Sequence, residues 1–328
     1  MKSRIAKSVL RTGAAVGACF LLTLNTAAWS QDYPAKPIRI VVPAPAGSGP
    51  DTDLRSSAAR LGPYFSQPVI IENRPGAGTR IAIEAVAKSA PDGYTFLVGT
   101  PSLTTADALY ARLPFDARRD LTPVSLLSTT AYALVVNAQV PAQTLQAFIA
   151  LSKTGAAHNN MGTFGVGTVP HLTGAWFASL TGAELKFIHY NTTAPFGDLL
   201  AGQISAMFEA LVPVGSNVKA GKLRVLAISG KNRHPEIPDV PTFAEAGLPT
   251  FNPLVWTGLL APTGTPQAIV NRMSAAFAKV AAMPEVQAYR RSVGSDSIGS
   301  TPEEFGAFLD AEREKWGSVI RKIGLKLE

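Results

Sequence analysis

The hydrophobic positions of this chain fall into short runs separated by turn-forming loops. Residues 38–42, Ile-Arg-Ile-Val-Val, are the kind of β-branched run that makes a buried strand. Residues 43–50 follow as a loop rich in Pro and Gly, and residues 51–61 read as a helix. The alternation then repeats, with a strand at 69–72, a loop at 73–78, a helix at 79–90, a stop at 91–93 and a strand at 94–99. Further on come a strand at 134–136, a helix at 145–153, a loop at 161–170 and a helix at 171–180. Strands at 187–190, 204–208 and 223–229 enclose a helix at 194–200. A loop holding Pro235, Pro238, Pro241 and Pro249 precedes a return strand at 257–261, and helices cover 266–283 and 302–323. Strands alternating with helices predict an α/β fold with parallel strands joined by right-handed crossovers. The length exceeds what one such sheet uses. We therefore expect two lobes, the first from 33–130 plus 254–328 and the second from 131–253. The chain would cross between them twice, which makes a hinge.

The N-terminus follows a different pattern. Lys2, Arg4, Lys7 and Arg11 precede an apolar run over 13–24, small residues gather over 25–30, and the first acid is Asp32. That order describes a secretory signal peptide at 1–30, with an apolar run too short for a membrane anchor. The single cysteine, Cys19, lies inside it, so the mature chain has neither disulfides nor thiol chemistry. The formal charge of +7 falls to +3 once those four basic residues are removed, and no basic run suggests nucleic acid or a membrane surface.

Several chemistries are missing. There is no nucleophile elbow, no His-Glu-x-x-His, no Walker A sequence and no complete Gly-x-Gly-x-x-Gly, since Pro170 stands where the third glycine belongs. His158, His171, His189 and His234 lack metal-ligand spacing. We expect no enzyme activity, no cofactor and no metal.

Two small-residue loops that each enter a helix are the informative features. The first runs through Ala44, Ala46, Gly47 and Ser48 toward Asp51; the second runs through Thr163, Gly165, Gly167 and Thr168 toward His171. Glycine lets a backbone approach a ligand closely, and unpaired amides at a helix start favour an anion. The first loop follows a predicted strand, and we expect both at the carboxyl ends of strands, where open α/β sheets place ligands. A carboxylate held from both sides without an arginine is the expected ligand. Asp51 either caps its helix or orders the loop. Ser102 follows the third strand as a candidate donor, Tyr190 is a candidate pocket wall, and Glu209 ends a strand as a candidate reader of the ligand's distal end.

The chain resembles the Bug-type receptors of tripartite tricarboxylate transporters, a family of periplasmic solute-binding proteins. The resemblance spans nearly the whole mature sequence. It rests on Tyr-Pro-Ala-Lys-Pro-Ile-Arg-Ile-Val-Val at 33–42, Val-Ile-Ile-Glu-Asn-Arg-Pro-Gly-Ala-Gly at 69–78 and Ala-Pro-Asp-Gly-Tyr at 90–94. Pro-Asp-Val-Pro-Thr-Phe-Ala-Glu-Ala-Gly at 238–247, Gly-Leu-Leu-Ala-Pro at 258–262 and Thr-Pro-Glu-Glu-Phe at 301–305 continue it. The resemblance implies a type II periplasmic-binding fold, two lobes closing as a Venus flytrap on a small carboxylate. It also implies delivery to membrane transporter subunits. The alternatives are an exported binding protein that presents its ligand to a membrane sensor kinase and, behind it, an exported hydrolase; we expect a monomer. Carried over by position, Ala194 joins His171 and Tyr190 along the second lobe. The family's Tyr-Lys-Gly is Tyr-Asn-Thr at 190–192 here, which makes the distal pocket less positive and brings monocarboxylates into competition.

Overall fold

A computed structural model describes residues 33–155, 158–190, 195–292 and 294–328. The expected signal segment, 1–30, and Ala194 lie outside the described residues.

Two sheets share one strand. Three parallel strands begin the first sheet: β1 (Ile38–Val42) is flanked by β2 (Val69–Asn73) and β3 (Thr95–Gly99). The connections include α1 (Gly49–Ala58) and α2 (Arg80–Ala87), and α3 (Ser102–Leu109) follows β3. The chain then enters β4 (Leu121–Asn137), which is 17 residues long. A second unit repeats the plan, with β5 (Asn160–Thr163) flanked in parallel by β6 (Lys186–His189) and β7 (Ala206–Ala210). Its helices are α4 (Leu145–Ser152) before β5, then α5 (Val169–Thr181), α6 (Pro195–Leu200) and α7 (Leu211–Lys219). The chain closes with β8 (Leu223–Ile228), β9 (Leu254–Pro262), α8 (Gln267–Ala281), α9 (Pro284–Ser292), β10 (Ser295–Ser297) and α10 (Pro302–Ile323).

The register of β4 shows how the sheets divide. Leu121 to Ala131 pair antiparallel with β9, and Ser128 to Thr130 also meet β10. From Tyr132 onward the partners become β7 and β8. Sequence periodicity finds only 134–136 of this strand. Ser125, Ser128, Thr129 and Thr130 interrupt the apolar pattern, yet Ser125 and Ser128 are buried with their hydroxyls satisfied, Ser125 by the Ser300 carbonyl at 2.8 Å. Helix α7 is also unexpected from sequence, because it contains Pro213 and Gly215. The proline lies in the first turn, where its missing N–H has no intrahelical acceptor to lose.

Helix α10 packs into two cores. Its apolar stripe recurs at Phe305, Leu309, Trp316 and Ile320, helical spacing with a capping box at Thr301 and Glu304 and a left-handed Gly324 after its end. Phe305 and Leu309 join Leu97, Trp256 and Leu260, whereas Trp316, Val319 and Ile320 join Leu134, Trp176, Phe177 and Phe208. The Trp176 and Trp316 rings meet edge to face with centroids 5.7 Å apart.

Candidate ligand-binding site

The two glycine loops occupy equivalent places, each leaving the carboxyl end of a central parallel strand, β1 or β5, and entering the next helix. Their backbones match over residues 47–51 and 167–171. Gly47 and Gly167 have φ of 79° and 77°. Ser48 and Thr168 follow as extended N-caps, with φ/ψ of −69°/165° and −71°/160°. Pro50 and Pro170 sit in the first turn. In each loop the glycine amide donates to the side chain four residues on, Gly47 to Asp51 Oδ2 at 2.8 Å and Gly167 to His171 Nδ1 at 3.0 Å. Only glycine holds φ near +78° without strain, and these two positions require it.

Tying down each glycine amide leaves the helix starts open. Neither Ser48 nor Thr168 caps its helix through its hydroxyl. First-turn amides have no intrahelical acceptor, so those of Gly49 and Asp51 at α1, and of Val169 and His171 at α5, are the donors each loop presents. With the helix dipoles behind them they suit an anionic group. The amides of Gly47 and Gly167 are not among these donors, because they serve the loops themselves.

The loops are anchored by different chemistry. Asp51 is buried and orders the first loop: besides the Gly47 amide, it accepts from Arg55 Nε and from Asn73 Nδ2 at 2.9 Å. Asn73 Nδ2 also reaches the Ala44 carbonyl at 3.0 Å. The Arg55 hydrogen bond is the main cause holding the Asp51 carboxyl at about 2, below its ordinary 3.8. In the second loop the acceptor is a neutral imidazole. Burial, aided by nearby His189, lowers His171 to about 4, and the bond from Gly167 leaves the ring proton on Nε2. Thr163, buried at the end of β5, pairs its hydroxyl with His189 Nδ1 at 2.7 Å, and Thr168 Oγ1 donates to the Gly165 carbonyl at 2.7 Å.

The other expected residues lie along the same strand ends. Ser102 begins α3 just beyond β3, and Ala46 is exposed at the tip of the first loop. Tyr190 follows β6; its N–H donates to the Thr163 carbonyl and its hydroxyl to Asp198 Oδ2 at 2.6 Å, so burial and that acid push its pKa up to about 12. Glu209 ends β7, half-buried, with Oε1 on the Ala210 amide at 2.8 Å; desolvation raises it to about 7. Asn73 and Arg55 are the residues that sequence reasoning missed. The i,i+4 spacing of Asp51 and Arg55 is visible in the sequence, whereas Asn73 approaches only through the β1–β2 pairing.

Residues 54–325 match the model of the tripartite tricarboxylate transporter family receptor. The chain belongs to this receptor family. It is similar to BugT of Bordetella pertussis, 33% identical over 319 residues that span 96% of this chain and 98% of BugT. Among solved structures, Rpa4515 of R. palustris, determined with adipate, has 30% identity and a TM-score of 0.81, over 90% of this chain and all of that one. The periplasmic binding protein BugD gives 28% identity and a TM-score of 0.77 over the same shares. The receptor family's two-lobed architecture is thus the architecture of this chain.

Proposed function

We propose that this receptor is exported to the periplasm, its first 30 residues being removed, and that it captures a small carboxylate between the two glycine loops. The observation that carries this reading is the match of residues 47–51 with 167–171, each stretch aiming first-turn amides of a helix from the carboxyl edge of its own sheet. The adipate in the Rpa4515 structure supports a carboxylate ligand. Ala44, Ala46, Gly47, Ser48, Asp51 and Ser102 would serve from one lobe, and Thr163, Gly165, Gly167, Thr168, His171, Tyr190, Ala194 and Glu209 from the other. The partner switch along β4 at Ala131 and Tyr132 suits a hinge, and closure follows if a ligand meets donors of both lobes only in the shut form. Such capture needs no chemical step. The loaded receptor would then hand its solute to membrane transporter subunits.

Calorimetric titration of the mature chain with small carboxylic acids, adipate first, tests this. Gly47→Val and Gly165→Val should each abolish binding while the fold persists. A Cβ at Gly47 meets nothing within 4 Å and one at Gly165 nothing closer than the Tyr190 carbonyl at 3.6 Å, so the harm is confined to loop conformation and ligand space. Unchanged affinity in either variant would refute the site.

A further inference from the structure

The last residues of the chain turn back from α10 onto the end of α3. The Leu327 amide donates to the Leu109 carbonyl at 2.7 Å, Leu327 forms an isolated parallel bridge with Tyr110, and Lys326 Nζ donates to the Ala108 carbonyl at 2.8 Å. The tail therefore satisfies two terminal carbonyls of α3 and places an ammonium at the negative end of its dipole. On its other side Leu327 touches the second glycine loop. A Cβ built on Gly167 would lie 2.7 Å from Leu327 Cδ1 and 3.5 Å from Leu109 Cδ1. One side chain thus links the helix that leaves the ligand edge of β3 to the loop that leaves the ligand edge of β5.

The two loops need this contact to different degrees. The first is pinned by the charge-assisted network of Asp51, Arg55 and Asn73. The second contains Gly165 and Gly167, both at positive φ, and is held by a hydrogen bond from the Gly167 amide to a neutral imidazole and by one from the Thr168 hydroxyl to the Gly165 carbonyl. A loop with two glycines has wide conformational freedom, and any freedom left in the unbound state is lost on binding. We propose that the C-terminal tail is a positioning element of the receptor: Leu327 packs on Gly167, fixes its left-handed conformation and keeps the first-turn amides of α5 presented. The consequence for affinity rests on the carboxylate reading of the site; the tail-to-loop contact does not.

Hydrogen exchange read by mass spectrometry on the full mature chain tests the contact without a ligand. In Leu327→Ala, peptides over 164–172 should exchange about tenfold faster while β4 peptides keep their wild-type rates, and Leu327→Met should restore protection. Unchanged exchange over 164–172, or an equal rise in β4, would overturn the proposal. Adipate titration supplies the second arm, with affinity expected to fall about tenfold in Leu327→Ala and recover in Leu327→Met. Faster loop exchange with adipate affinity intact, in a protein whose Gly165→Val variant has lost adipate, would overturn the positioning role. Adipate held equally by Gly165→Val would instead sink the proposed site and leave the exchange result to decide the tail.

Discussion

Replacing Asp51 with alanine strips the first loop of the acceptor that joins Gly47, Arg55 and Asn73. The carboxyl is lowered from 3.8 to about 2, chiefly by its hydrogen bond from Arg55. At 1.36 kcal/mol per pH unit that is at most about 2.5 kcal/mol. Half of the Arg55 side chain is exposed, so solvent screening reduces the contribution to about 1–2 kcal/mol. A depressed acid stabilises the fold fully above its unfolded value, and the contribution fades as pH falls from about 4 through 2. Urea unfolding of wild type and Asp51→Ala should therefore differ by about 2 kcal/mol at pH 7, and by clearly less at pH 3. Asp51→Asn keeps an acceptor for Gly47 but loses the ion pair, and should fall between them. A gap that is the same at both pH values, or wider at pH 3, would refute the electrostatic account of this loop.

Two further outcomes follow from the second unit. The His171 ring should titrate near 4 by NMR because burial, aided by His189, disfavours its cation; stability should fall as pH drops from about 6.5 toward 4, and a ring titrating at its ordinary value would refute burial as the cause. Glu209 should behave oppositely, its acid form being favoured in the fold, so stability declines as pH rises from 4.5 to about 7. Glu209→Gln should then gain about 2 kcal/mol over wild type in urea unfolding at pH 8 and little at pH 4, and a gain independent of pH would refute desolvation as the cause.

The sequence carries the strand–helix rhythm and the first loop because a loop with glycines placed between a β-branched run and a helix is a local signal; the second loop shows only its glycines, since β5 before it is Asn-Met-Gly-Thr with no β-branched run. Residues 38–42 and 302–323 have the bounds that their patterns predict. The long β4 is legible only in its last third, since its polar residues are satisfied by chain segments far away, Ser128 by Asp53 and Thr257 and Ser125 by the Ser300 carbonyl. The equivalence of the two loops is hidden for another reason. Gly47, Ser48, Pro50 and Asp51 share their spacing with Gly167, Thr168, Pro170 and His171, but a carboxylate and an imidazole look unrelated until both are seen accepting the same backbone bond. The contact of Leu327 with Gly167 joins positions 160 residues apart and has no local signature.

A single helix that buries Phe305 in one core and Trp316 in the other denies either half an independent existence. Cutting the chain between the lobes would leave one fragment with an orphaned aromatic face and the other with a hole where the Trp316 indole belongs. Heating should accordingly melt the molecule in one calorimetric transition, because neither half can let go of α10 without the other losing its packing.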